Sequence, residues 1–191
     1  MPSGGRILDP GDNSTIVNPP HSQPWVVGIV MENAVDTDCS GTLLSKKYVI
    51  TSAHCPLVTH AIVGDHNQNI NDGEERIKVI NEIPYPGWEY DDREDLKILE
   101  LEKEVNDKFA KPALLPKENE RFDNYTVSGF GEKAPGVDSA FLRTVQLSDI
   151  GSDGSCYKVA SDFSPDIHIC GENLVDDFLG PCNGDSGGMS L

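Results

Sequence analysis

Short runs of β-branched and aromatic residues recur along the chain, and each run ends at a cluster of Gly, Pro, Asn or Asp. The clearest runs span 25–31, 41–44, 48–52, 61–63, 77–83, 96–101, 125–130, 142–147 and 167–170. Short segments between turn residues are typical of antiparallel strands in sandwiches and barrels. Helical periodicity is scarce, with one candidate for a turn or two at 155–160. The pattern therefore predicts an all-β protein.

The charge balance argues against two classes of binding partner. The 191 residues include 15 Lys and Arg against 32 Asp and Glu, so the net charge is −17. Such a chain repels phosphate backbones and anionic lipid head groups, which makes nucleic acid and membrane surfaces poor partners. Hydrophobic residues make up 37%, enough for a packed core. The longest apolar runs are too short to span a bilayer. We therefore expect neither a nucleic-acid partner nor a membrane partner.

The five cysteines contain no Cys-x-x-Cys pair, which argues against a zinc ribbon or a thioredoxin-type motif. Cys39 and Cys55 are 16 residues apart, and Cys156 and Cys170 are 14 apart. These separations suit two local disulfides, each stabilising by about 3 kcal/mol in the chain-entropy account. Cys182 is left over, which indicates an intermolecular bond, a reactive thiol or a partner outside the given chain.

Two glycosylation sequons, Asn13-Ser14-Thr15 and Asn124-Tyr125-Thr126, fit an extracellular glycoprotein, as do the disulfides. Residues 1–10 lack the basic start and apolar stretch of a signal peptide. We therefore expect a secreted protein whose natural translation start is not Met1, and a sequence cut at both ends.

The segment 184–188, Gly-Asp-Ser-Gly-Gly, is the most informative in the chain. A serine between glycines fits a tight turn in which two backbone N–H groups point at one spot. This is the geometry of an oxyanion hole, with Gly184 and Ser186 as the donors. The hydroxyl of Ser186 needs a base to become nucleophilic, and that base needs an orienting carboxylate.

The chain offers candidates for both partners. His54 ends a β run beside Cys55, and Asp95 directly precedes the apolar strand 96–101. Asp95 belongs to an acidic stretch, so Asp91 and Asp92 remain alternatives for the orienting carboxylate.

In this order, His54, Asp95 and Ser186 resemble the catalytic triad of trypsin/chymotrypsin-type serine proteases. The segments Thr-Ser-Ala-His-Cys and Gly-Asp-Ser-Gly-Gly carry most of the resemblance. Further similar segments lie at 20–25, 40–44, 126–131 and 170–171. Together they extend from about residue 16 to the last residue.

The resemblance implies two antiparallel Greek-key β-barrels, the second incomplete in this chain. We expect an N-terminal extension or activation segment at 1–15, a first barrel at 16–104, an inter-barrel linker at 105–123 and a truncated second barrel at 124–191. It also implies a secreted serine endopeptidase that works through an acyl-enzyme. Its partners are protein or peptide substrates and protein protease inhibitors, and catalysis needs no cofactor.

A second site is implied by oxygen-rich residues around the turn glycine Gly73. The segment 65–75 departs from EF-hand spacing but resembles the calcium loop of trypsin-like proteases. The resemblance assigns carboxylate, carbonyl and water-mediated ligands for a structural Ca²⁺. These are, in chain order, Asp65, Asn67, Ile70, Asp72 and Glu75. An acidic, solvated hairpin without metal is the alternative.

Activation and specificity depart from the family pattern. The aspartate before the nucleophile, Asp185, is the family's partner for a new N-terminal amine, but no Ile-Val-Gly-Gly start is present. Arg6-Ile7 is the tryptic cleavage candidate, although it lies further from Trp25 than the family pattern implies. Gly180, six residues before the nucleophile, corresponds to the floor of the specificity pocket. Glycine offers no carboxylate for Arg or Lys, so we expect a preference for apolar or small side chains.

Family members continue well past the nucleophile, into strands that complete the second barrel and supply a partner for Cys182. We therefore expect residues 1–191 alone to be inactive and prone to aggregation. A non-catalytic homologue that binds another protein is the main alternative function, and a calcium-stabilised structural module is the third.

Overall fold

The computed structural model describes residues 15–34, 36–55, 57–88, 94–106, 108–117, 120, 122–134, 136–151, 156, 164, 168–173 and 180–188. Arg6, Ile7, Asn13, Asp91 and Asp92 lie outside these residues, as does 155–160 apart from the helical Cys156. Eleven strands lie in the described part: β1 Val26–Met31, β2 Cys39–Leu43, β3 Tyr48–Thr51, β4 Val58–Val63, β5 Glu75–Pro84, β6 Lys97–Leu101, β7 Asn124–Gly129, β8 Glu132–Ala134, β9 Val137–Asp138, β10 Arg143–Asp149 and β11 Gly171–Glu172.

The first six strands close into an antiparallel barrel in the order β1-β2-β3-β6-β5-β4. Side chains in β6 alternate between buried and partly buried positions, as a strand with one face on a core requires. Leu43, Val49 and Leu99 are fully buried within the barrel. In the pairing of β3 with β6, Thr51 lies opposite Lys97, so the end of β3 lies beside the start of β6.

The second unit contains a three-stranded antiparallel sheet, β11-β10-β7, and the hairpin β8–β9. Its buried cluster consists of Val127, Val145 and Leu147. The all-β prediction is confirmed, and one closed barrel followed by a second, smaller β unit agrees with the expected architecture. The domain boundaries at 15/16, 104/105 and 123/124 stay predictions.

Apolar packing and backbone pairing join the two units. Val17, Val26, Phe130 and Leu142 form one buried cluster with Trp25 against it. Asn67 of the first unit bridges Phe141 of the second, and Ile16 bridges Arg143. This contact fixes where a loop of the second unit meets the first barrel.

Both predicted disulfides are present, Cys39–Cys55 and Cys156–Cys170. Cys182 is a free, half-buried cysteine. Within the described residues, no helix has the length and apolar character needed to cross a bilayer.

Candidate active site

His54 and Asp95 meet through two hydrogen bonds. The backbone N–H of His54 donates to Asp95 Oδ1 at 2.8 Å, and His54 Nδ1 lies 2.5 Å from Asp95 Oδ2. A carboxylate accepts hydrogen bonds only, so Nδ1 carries the proton and Nε2 is the basic nitrogen. The His54 side chain is about half exposed, whereas that of Asp95 is only 21% exposed. The sequence-predicted base and carboxylate are therefore in contact. The alternatives Asp91 and Asp92 lie outside the described residues.

The strand pairing explains this contact. His54 follows β3 by three residues, and Asp95 precedes β6 by two. Because β3 and β6 are antiparallel neighbours, these two ends lie at the same rim of the barrel. The turn of His54 is closed by a hydrogen bond from Cys55 N to Ser52 O at 3.3 Å.

The loop that carries Ser186 docks on the same part of the barrel through its main chain. Ser40 N donates to Ser186 O at 2.8 Å, and Ser40 Oγ donates to Gly184 O at 3.0 Å. Gly187 has a φ of 82°, and a Cβ there would collide with Thr51 Oγ1 and Ser40 O. Glycine is therefore required for the loop to approach this closely.

The Cys39–Cys55 disulfide links the strand under the nucleophile loop to the histidine turn. Cys39 directly precedes Ser40, and Cys55 directly follows His54. A ring nitrogen of His54 lies within 4.8 Å of both sulfurs, the one such cluster of three His, Cys, Asp or Glu side chains among the described residues. Disulfide sulfurs are not thiolates, so this cluster is no metal site. The disulfide connects the turn that carries His54 to the strand on which the loop of Ser186 docks.

Gly184 lies in a tight backbone turn that packs against Gly131. Gly184 has a φ of 86°, and a Cβ there would lie 2.9 Å from Gly131 Cα. Gly188 N donates to Asp185 O at 2.9 Å, which closes the turn around Ser186. The assignment of Gly184 and Ser186 as donors stays a prediction.

Asp185, which precedes Ser186 in the chain, is buried, with 4% of its surface exposed. Its Oδ1 accepts from Gly131 N at 3.0 Å, and its Oδ2 accepts from Cys182 N at 2.9 Å. Burial raises the pKa of Asp185 to about 6, although the two backbone hydrogen bonds lower it in part. The carboxylate therefore links the nucleophile loop to the segment after β7. Its role as activation partner of an amine stays a prediction.

Gly180 is buried at the start of the last described segment. Residues 174–179, which precede it, lie outside the described residues. Its assignment to the specificity pocket therefore stays a prediction.

An open cavity of about 320 Å³ is lined in part by Asp65, Asn71 and Glu74, and of the five predicted calcium ligands Asp65 is the one that lines it. Asp65 is 8% exposed, and its Oδ1 has no hydrogen-bond partner among the described residues. Burial, with Asp72 and Glu74 adding their charge, raises the pKa of Asp65 to about 7. Such an orphaned, buried carboxylate oxygen favours a bound cation or a proton.

The remaining predicted calcium ligands form hydrogen bonds or an ion pair within the protein. Glu75 pairs with Lys103 Nζ at 2.7 Å and accepts from Asn106 N at 2.9 Å. These contacts lower the pKa of Glu75. Asn67 O accepts from the N–H of the exposed Ile70 at 3.1 Å. Asp72 Oδ2 accepts from Asn67 N at 3.1 Å. The ligand set stays a prediction.

Sequence reasoning missed two groups of residues near the site. Ser40 contacts both ends of the nucleophile turn, and Lys97 with Glu82 forms an ion pair beside the histidine turn. A signal for Lys97 existed in the sequence, since its spacing of two from Leu99 places it on the inward face of β6.

The buried Asp185 gives a pH prediction. Its pKa is about 6 in the folded protein and near 3.9 in the unfolded chain. The folded state therefore binds more protons between these values, and the contribution of Asp185 to the free energy of unfolding falls as the pH rises through about 6. The full effect is about 3 kcal/mol. Urea unfolding from pH 4 to pH 8 should show this decline in the free energy of unfolding. Asp185→Asn should remove the share of the decline that the Asp185 carboxyl causes. Asp138→Asn, at an exposed position, should leave the slope unchanged, and equal slopes in all three proteins would contradict the prediction.

Comparison with known proteins shows which family the chain belongs to. The Trypsin family model matches residues 13–189. Granzyme F from Mus musculus is 31% identical over 182 residues, which cover 88% of this chain and 72% of that protein. Kallikrein-4 from Homo sapiens is 29% identical over 93% of this chain and 72% of that protein.

The structure has the same fold as solved relatives. It matches neuropsin, described as a serine protease expressed in the limbic system of mouse brain, with a TM-score of 0.81 and 23% identity. That match covers 93% of this chain and 81% of the neuropsin chain. The expected trypsin-type fold is thus confirmed. The chain belongs to the trypsin family and is a serine-type proteolytic enzyme.

Proposed function

We propose that this protein is a secreted endopeptidase that hydrolyses peptide bonds through His54, Asp95 and Ser186. The double contact between Asp95 and His54 carries the proposal, because it fixes both the position and the tautomer of the base. The docking of Ser186 through Ser40, at the barrel end that carries His54, supports the third member.

The proposed reaction follows from these positions. Ser186 Oγ attacks the substrate carbonyl while Nε2 of His54 accepts its proton and then donates it to the leaving amine. Asp95 holds Nδ1–H and stabilises the imidazolium that forms. Backbone N–H groups of Gly184 and Ser186 bind the oxyanion. Water then attacks the acyl carbonyl while Nε2 of His54 accepts its proton. The bond to Ser186 Oγ breaks, His54 returns the proton to that oxygen, and the carboxylic acid product leaves.

The setting of this chemistry is proposed to be extracellular. Two disulfides favour an oxidising compartment. Asn124, of the second sequon, is exposed at the first position of β7. Protein and peptide substrates, together with protein inhibitors that imitate them, are the proposed partners.

The first test removes the nucleophile or the base. In the full-length, activated protein, Ser186→Ala or His54→Ala should lower kcat by a factor on the order of 10⁴ or more. The double variant should lose little more than either single variant, because the groups act as a unit. Ser164→Ala is a matched control at a serine outside the proposed triad and should keep normal turnover.

The same proteins separate the alternatives. A serine-directed fluorophosphonate should label the wild type and not Ser186→Ala. A non-catalytic homologue or a structural module would stay unlabelled. Near-normal turnover in either single variant would remove the triad assignment.

A peptide-library profile tests the pocket assignment. With Gly180 as the floor, we expect cleavage after apolar or small side chains, because glycine offers no charge to pair with a cation. Gly180→Asp should shift the profile toward Arg and Lys. A wild-type profile dominated by cleavage after Arg or Lys would refute the assignment.

We also propose a structural Ca²⁺ held by Asp65, the carbonyls of Asn67 and Ile70, Glu75, and Asp72 through water. The orphaned, buried Oδ1 of Asp65 supports this set. Glu75 would exchange its contact with Lys103 for the ion. When bound, the metal would neutralise the carboxylates of the loop and fix its shape.

Calcium should therefore raise the melting temperature, and a hundredfold excess over Kd corresponds to about 2.7 kcal/mol. Asp65→Asn and Glu75→Gln should both reduce the response, measured by scanning calorimetry in calcium and in chelator. Glu104→Gln, an exposed position outside the loop, should leave it intact. An identical melting temperature of the wild type in both solutions would exclude the site.

A further inference from the structure

Lys97 is a buried lysine near the proposed triad that the mechanism above does not use. Only 4% of its surface is exposed, and it lies on the inward face of β6 together with Leu99 and Leu101. Its Nζ donates to the carbonyl oxygen of Cys55, the residue after His54. A buried ammonium is costly unless it is paired, and an apolar side chain would fill this position with no such penalty.

Glu82 of β5 completes the arrangement. Its Oε2 lies 2.6 Å from Lys97 Nζ, and its Oε1 accepts from Val58 N at 3.0 Å. The Glu82 side chain is 31% exposed, so the pair lies at the edge of the barrel interior. Lys97 and Glu82 together thus hold the loop after β3 at Cys55 and at Val58.

These contacts adjoin the contact that orients the base. Asp95 and Lys97 belong to one short segment, and they hold consecutive residues of the loop, His54 and Cys55. The Cys55 carbonyl belongs to the peptide that follows Cys55, so a displacement of this carbonyl would reach His54 through the backbone of Cys55. The imidazole would then move relative to both Asp95 and the nucleophile loop.

We infer that Lys97 and Glu82 are positioning residues for the proteolytic reaction, acting on His54 through their contacts with Cys55 and Val58. Reacting groups must be held closely, since small misplacements cost about 100-fold in rate. The pair acts on His54 and not on substrate, so its loss should lower kcat and leave KM almost unchanged. This inference rests on the proposed role of His54.

The test replaces both charges, so that neither is left buried without a partner. In Lys97→Met/Glu82→Gln the glutamine still accepts from Val58 N, whereas the bond to the Cys55 carbonyl is lost. We expect kcat to fall about 10- to 100-fold, with KM within about threefold of the wild-type value. The proton resonance of His54 Nδ1–H, observed by NMR, should shift or broaden, which a remote structural role would not cause.

The matched control is Lys47→Met/Glu100→Gln. This pair also joins β6 to a neighbouring segment, at 3.2 Å, but it does not contact the histidine loop. We expect normal kcat and a normal Nδ1–H resonance. Equal loss in this control would overturn the inference, as would an unchanged kcat and resonance in the test variant.

Two further measurements keep the outcomes separate. If the double variant does not fold, Glu82→Gln serves alone. Lys97 and Val58 contact different oxygens of Glu82, and glutamine replaces one of these acceptors with an NH₂ donor. We expect kcat to fall about threefold or more. An unchanged kcat in Glu82→Gln would then overturn the inference.

Ser186→Ala is measured beside these proteins. If it is fully active, the proposed function fails; if it is inactive while kcat resists loss of the ion pair, the inference alone fails.

Discussion

The pairing of β3 with β6 is the constraint on which the proposed active site depends. Thr51 lies opposite Lys97, so the residues just after β3 and just before β6 meet at one rim of the barrel. This register brings His54 to Asp95 and Cys55 to Lys97. A one-residue slip would reverse the face of every side chain in β6 and break both contacts at once. The barrel core and the catalytic geometry are therefore specified by the same hydrogen bonds.

The sequence was sufficient to predict features that depend on a few consecutive residues or on the order of motifs. Short strands between turn residues predicted the all-β fold, and the cysteine separations predicted both disulfides. The contact of His54 with Asp95 agrees with an expectation drawn from motif and chain order. Each of these signals lies within a few consecutive residues or in a known order of motifs.

Contacts that depend on strand register and belong to no sequence motif could not be predicted. The Lys97–Glu82 pair joins residues on neighbouring strands, and the sequence alone does not say which positions face each other. In the same way, the motif that suggested Glu75 as a calcium ligand gave no indication that Lys103 would approach it. The buried environment of Asp185 could not be predicted either, because one of its two hydrogen bonds comes from Gly131, which the sequence alone does not place beside it.

Gly187 shows how little freedom the nucleophile loop has. Its backbone lies against the main chain and hydroxyl groups of the barrel, in a conformation that side chains disfavour. On the barrel side this boundary consists of main chain and of the Ser40 and Thr51 hydroxyls, whereas at Gly187 the loop contributes main chain alone. The loop therefore offers no side chain there that a substitution could exchange to adjust the fit. Changes in rate or substrate choice have to arise at other positions, because any side chain at Gly187 would displace the loop that carries Ser186.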